Sequence, residues 1–226
     1  MIVRRDKACL VSTIRIIGAS WWIALIIILI AGNVAIQLEP VGRLDRKILE
    51  WFDAGRTVTA DRFVSCVTWL GSTVILLPLM LTQTVILMVR SRIREALFLA
   101  GSFVGASVLG YIVKFIIARP RPNLFPAVID IPAGFSFPSS HAAQITAFVL
   151  AELLVYNITR GTRWFILLQV LCGVLILLVS ISRLYLQVHY PTDVVAGFLM
   201  ALCWVLGLAA LMLDKQYRAG NIPEKP

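Results

Sequence analysis

Charge is scarce in this 226-residue chain: 15% of its residues are Asp, Glu, Lys or Arg, against 59% that are hydrophobic. That leaves too little polar surface to coat a water-soluble globule of this size, so lipid is the expected solvent. Cysteine is sparse as well. Cys9, Cys66, Cys172 and Cys203 stand in or beside apolar runs with no close spacing. This excludes a disulfide framework and a zinc site and leaves them as small apolar packing residues. The 12 acidic residues do not gather into the carboxylate cluster that a magnesium or calcium site requires, so no metal is expected. Rarest of all is histidine, present twice.

What the chain has in abundance is long charge-free runs. A bilayer core asks for about 20 apolar residues per helix. Five runs qualify, Ile16–Leu38, Phe63–Val89, Ala96–Val113, Trp164–Ser182 and Val194–Leu213. A sixth, from about Ser139 to Ile158, carries one charge, Glu152, placed near enough to one end for its carboxylate to reach the interface. The first run follows Arg4, Arg5, Lys7 and Arg15 in the manner of a secretory signal, but it exceeds a signal core and is read as a retained helix.

Six spans put both termini on one side, with the turns around Arg90–Arg94 and Arg160–Arg163. That side holds 12 of the 21 Lys and Arg. The other holds nine, of which Lys114, Arg119, Arg121 and Arg183 belong to or adjoin the clusters described next. Positive charge in short loops marks the cytoplasmic side, so the termini are predicted to be cytoplasmic. Val41–Asp53 spaces Leu44, Ile48 and Phe52 four apart, with Arg46, Lys47, Glu50 and Asp53 on other faces. It reads as a short helix lying on the outer membrane surface, covering the bundle. Gly101 and Gly105, four apart, predict a close helix contact. The polar tail Lys215–Pro226 is expected to be disordered.

Chemistry concentrates at span ends on the outer side. In Lys114-Phe-Ile-Ile-Ala-Arg119-Pro120-Arg121-Pro122, the two prolines end the third span near Ala118. Lys114 and Arg121 can then share a pocket, while Arg119 reads as a basic side chain snorkelling at the interface. In Phe137-Pro138-Ser139-Ser140-His141, serine caps a helix whose free N–H groups can hold an anion beside the histidine. In Ser182-Arg183-Leu-Tyr-Leu-Gln-Val-His189-Tyr-Pro191-Thr-Asp193, Pro191 suits a first helical turn. His189 and Asp193, four apart, then share a face on which the carboxylate can fix the imidazole tautomer. Arg183 supplies a planar donor for a phosphoryl group. The topology brings all three clusters to one side of the membrane.

These residues resemble the signature of the type 2 phosphatidic acid phosphatase superfamily, which includes bacterial undecaprenyl-diphosphate phosphatases and lipid A phosphatases. Its K-x6-R-P, P-S-G-H and S-R-x5-H-x3-D elements are met by Lys114, Arg121 and Pro122, by Pro138, Ser139 and His141, and by Ser182, Arg183, His189 and Asp193. Ser140 departs from the usual glycine, and its side chain stands where a backbone N–H approaches phosphate.

The resemblance implies an all-α polytopic membrane protein in the bacterial inner membrane. It would form one integral membrane phosphatase domain over 1–226, with spans about 16–38, 63–89, 96–118, 139–158, 164–182 and 194–213 and its active site facing the periplasm or exterior. It implies a nucleophilic His189, oriented by Asp193, and His141 as general acid and base. Lys114, Arg121, Ser139, Ser140 and Arg183 would bind the phosphate of a lipid phosphate or diphosphate. No cofactor, nucleic acid or obligate protein partner is implied; the surroundings are membrane lipids. The loop Asn123–Phe137, mostly apolar, is read as leaning into lipid beside the substrate entrance, with Asp130 in it. A lipid phosphotransferase using the same residues, or an anion or lipid transporter, is the alternative; vanadium haloperoxidases share the oxyanion set but are soluble.

Overall fold

The computed structural model describes residues 2–155 and 163–218. Among them lie α1 (Ile2–Ala35), α2 (Glu39–Ala54), α3 (Val58–Trp69), α4 (Thr73–Val89), α5 (Ile93–Ile117), α6 (Ser140–Val155), α7 (Arg163–Tyr185) and α8 (Pro191–Arg218), with no strand among the described residues. Five segments are long and apolar enough to cross a membrane: Thr13–Ala35, Val58–Val89, Ile93–Ile117, Ile166–Tyr185 and Pro191–Asp214. The shorter apolar α6 completes the six expected from the sequence.

α6 sits at the centre, against α5, α7 and α8. Its Ala142, Ala143, Ala147 and Ala151 are buried, and such small side chains let several helices approach at once. Its polar Gln144 is paired, accepting from the Thr73 hydroxyl at 2.9 Å and donating to Ser107 Oγ at 3.3 Å. Glycines set the remaining close approaches. A Cβ on Gly105 would overlap the Trp204 indole of α8, whose Nε1–H donates to the Gly101 carbonyl at 3.1 Å, as the four-residue spacing predicts. α1 packs along α8, with Gly207 beneath Trp22.

The second span is two helices. The chain breaks at Leu70–Ser72, where Gly71 lies against Val179 and His141, while Pro78 remains inside α4. Glu152, half-buried, stands three residues before the described end of α6, with its Oε1 buried and without a hydrogen-bond partner among the described residues. At the other end of the bundle, α2 docks on α7 and α8. Its buried residues are Asp45 and Leu49, with Ile48 and Phe52 packed around Leu49, while Leu44 is 57% exposed. The inward face is therefore rotated from the Leu44–Ile48–Phe52 stripe so that it includes a carboxylate. Lys215–Arg218, read as tail, continue α8; the rest of that tail, from 219 on, and most of the turn around Arg160–Arg163 lie outside the described residues.

Candidate active site

α5 ends at Ile117, and Ala118 adopts the left-handed conformation (φ 49°) that turns the chain out of the helix. The prolines keep Arg119–Pro122 non-helical. α6 starts at Ser140, its first turn capped by Ser139 Oγ, which accepts from the Ala142 N–H at 3.5 Å. α7 ends two residues after Arg183, and α8 begins at Pro191. These four ends meet at one side of the bundle and enclose a cavity of about 480 Å³. Lys114, Arg121, Ser140, His141, Arg183 and His189 all line it. Three cations and two imidazoles face the space, and among the described residues no carboxylate does.

Each cation is held in place. Lys114 Nζ donates to the carbonyls of Phe135 at 2.8 Å and Ser136 at 3.3 Å, tying α5 to the Asn123–Phe137 loop. Arg121 spreads its guanidinium over the Gly134 carbonyl (3.1 Å), the Val188 carbonyl (2.9 Å) and His189 Nε2 (3.2 Å). Burial lowers it from the usual arginine range against the pull of Asp193, which leaves it a cation. Arg183, 2% exposed, donates to Thr68 Oγ1 at 2.6 Å, while its buried Nε has no partner among the described residues. Such a donor costs about 1–3 kcal/mol unless an acceptor is bound, so the site is built to receive an anion.

The Arg121 contact also fixes the state of His189. A guanidinium only donates, so Nε2 accepts with its lone pair and the ring proton resides on Nδ1. Nδ1 lies 3.4 Å from Asp193 Oδ2, within ion-pair range but without hydrogen-bond geometry. Burial pushes His189 down to about 3; the Asp193 carboxylate opposes this, and the charges on Arg183 and Lys114 add to it. The imidazole is therefore neutral at physiological pH, with its Nε2 lone pair at the cavity.

Ser139 and Asp193 stand behind the cavity wall. Both are fully buried, and the Ser139 N–H donates to the Asp193 carbonyl at 2.9 Å, which joins the start of α6 to that of α8. Gly197 allows this approach: a Cβ there would stand 2.5 Å from the Ser139 carbonyl oxygen. Arg119 does not snorkel. Turned inward by the bend at Ala118, it pairs with Asp193 and with Asp45 and lies over the Tyr190 ring at 4.0 Å. Sequence reasoning missed Asp45, although one legible signal existed: an aspartate in register with Leu49 and Phe52 on an otherwise apolar helix face. The loop Asn123–Phe137 contributes Pro132 to Phe135 to the cavity, while its Val128 and Ile129 pack on Tyr185, Leu186 and Val188.

Comparison with known proteins agrees with this architecture. A family model described as the PAP2 superfamily matches residues 95–217, more than half of the chain. Phosphatidylglycerophosphatase B of Bacillus subtilis (strain 168) is 29% identical over 170 residues, covering 74% of this chain and 83% of that protein. An undecaprenyl-diphosphatase of Sulfolobus acidocaldarius is 35% identical over 127 residues, 54% of this chain and 57% of that protein. The crystal structure of a transmembrane PAP2 type phosphatidylglycerolphosphate phosphatase from Bacillus subtilis superposes with a TM-score of 0.72 at 26% identity, over 88% of this chain and 96% of that one.

Proposed function

The chain belongs to the PAP2 superfamily, and from that premise we propose that it is one membrane phosphatase domain that hydrolyses a lipid phosphate or diphosphate at the outer membrane face. The reading rests on one observation: two imidazoles and three cations line one cavity, with His189 Nε2 kept unprotonated there by its contact with Arg121.

His189 Nε2 attacks phosphorus in line, forming a P–N bond as the bond to the lipid oxygen breaks. A substrate bound as the phosphate monoanion brings in one proton, which His141 takes up and passes to the departing oxygen. Asp193 stabilises the ring as it becomes cationic. The now neutral His141 then takes a proton from water, whose oxygen attacks phosphorus and releases phosphate and His189. Lys114, Arg121, Arg183 and Ser140 offset the charge on the phosphoryl oxygens throughout, which is the largest contribution such a site can make, while Ser139 holds the start of α6 from behind the wall. Relatives named as phosphatidylglycerophosphatase and undecaprenyl-diphosphatase support a lipid phosphate as substrate.

The wall of the cavity supports a substrate with an apolar tail. Tyr111 and Phe115 line it and are 63% and 58% exposed on the face of α5, and Phe115 meets Phe135 edge-on. A headgroup can thus enter from the lipid side while its chains remain in the bilayer. The bias of Lys and Arg toward the termini side supports cytoplasmic termini and a site facing the exterior.

The test is release of inorganic phosphate from dioleoyl phosphatidic acid by purified protein in detergent with EDTA present. Activity is expected in the wild type and lost in His189→Asn. Hydrolysis retained in that variant would overturn the nucleophile.

A further inference from the structure

Behind His189 and Asp193 lie two charges, Asp45 and Arg119, that the mechanism above leaves unused. Asp45, on the interfacial helix α2, is only 1% exposed, and a buried carboxylate is costly unless its oxygens are paired. Its Oδ1 accepts the Thr192 N–H at 3.1 Å. Its Oδ2 accepts the Thr192 hydroxyl at 2.7 Å and Arg119 at 2.8 Å. Arg119 uses its other terminal nitrogen to donate to Thr192 Oγ1, at 2.7 Å, and to Asp193 Oδ1. Asp193 Oδ2 in turn accepts the Tyr190 N–H at 2.9 Å and faces His189 Nδ1. Every hydroxyl and guanidinium direction in this chain of contacts is consistent, with Thr192 Oγ1 donating once and accepting once.

We propose that Asp45 is a positioning residue for phosphoryl transfer: it holds Arg119, Arg119 holds Asp193, and Asp193 sets the ring of His189. The inference rests on His189 as the nucleophile of the proposed function. None of Asp45, Arg119, Thr192 and Asp193 lines the cavity, so Asp45 acts through its neighbours and not on substrate. Docking of α2 has other anchors. Leu49 is fully buried, and Gln187 Nε2 donates to its carbonyl at 2.9 Å. An amide in place of the Asp45 carboxylate removes the charge and turns a donor toward Arg119 or Thr192, while Leu49 keeps the helix in place.

The experiment measures phosphate release from dioleoyl phosphatidic acid by the full chain in detergent, together with melting temperature. In Asp45→Asn, kcat is expected to fall about 10- to 100-fold with KM changed by less than about twofold, since only the alignment of the nucleophile is lost. Arg119→Gln behaves alike, and the double variant is no slower than Arg119→Gln alone, because both act through one path. Thr192→Val, which keeps the side-chain shape, lowers kcat in the same direction and serves if Asp45→Asn does not fold. Asp53→Asn, removing a partly exposed charge from the same helix, leaves kcat unchanged. The proposal is overturned if folded Asp45→Asn keeps the wild-type kcat and loses only thermal stability, if its defect lies in KM, or if the two single losses multiply. Failure of the underlying reading looks different: wild type without phosphate release, or His189→Asn retaining it.

Discussion

Replacing Gly197 by alanine tests whether the junction of α6 and α8 sets the geometry of the site. The added Cβ would lie 2.5 Å from the Ser139 carbonyl oxygen and 3.4 Å from the Ala143 nitrogen, both backbone atoms, so no side chain can swing aside. Ordinary contact begins near 3.4 Å, and the start of α6 must retreat by roughly 1 Å. Overpacking of this kind costs about 1–3 kcal/mol, but glycine to alanine within a helix recovers about 1 kcal/mol, so the net loss of stability is small. Catalysis has no such compensation. Ser140 and His141 ride on the displaced turn, and about 1 Å of misplacement can cost about 100-fold in rate. The expected result is a kcat for phosphate release reduced about 10- to 100-fold with the melting temperature lowered only slightly. Gly173→Ala is the matched control: with no atom near its Cβ, it is expected to raise stability by about 0.5–1 kcal/mol and leave kcat alone. Wild-type activity in Gly197→Ala would refute the argument that this junction positions His141.

Three further outcomes can be checked with the same protein. Arg121→Ala is expected to lower kcat/KM by about 100- to 1,000-fold, and Arg121→Lys to recover only part, since one ammonium cannot span the Gly134 carbonyl, the Val188 carbonyl and His189 as the guanidinium does; full rescue by lysine would contradict the bridging role. Because His189 is held near 3 in the fold and near 6.5 when free, the unfolded chain takes up its proton first as pH falls; its contribution to stability is full above about 6.5 and is lost at about 1.4 kcal/mol per pH unit from there toward 3. Melting temperature between pH 7.5 and 5 should therefore fall less steeply in His189→Asn, and an equal slope would count against a neutral buried imidazole. Ala118→Gly should raise the melting temperature by the equivalent of about 1 kcal/mol, because glycine adopts the left-handed turn at the end of α5 without a Cβ penalty; a fall would show that the turn is not strained.

The candidate site was legible because its parts are local. Pro120 and Pro122 end one helix, Ser139 caps the next, and Pro191 starts the last, so the positions of Lys114, His141, His189 and Asp193 relative to span ends follow from chain chemistry alone. Arg119 was not legible. Its pull inward depends on Asp45, 74 residues earlier, and a basic residue at a membrane boundary gives the same local signal whether it points to headgroups or to a buried carboxylate. Gly71 and Pro78 illustrate the same limit. Both stand in the second apolar run, but only the glycine lies at the break in the helix, where a Cβ would meet Val179 of α7 and His141.

Composition and the spacing of apolar runs were sufficient to determine a six-span membrane protein with its candidate site residues at one end, since the bilayer obliges every backbone group to bond within a helix. Which side chains face the cavity, and which stand behind it to hold the others, was decided by packing between segments far apart in the chain. The inward face of α2 was chosen by a partner, Arg119, that lies on no neighbouring turn, and periodicity contains no information about that pairing.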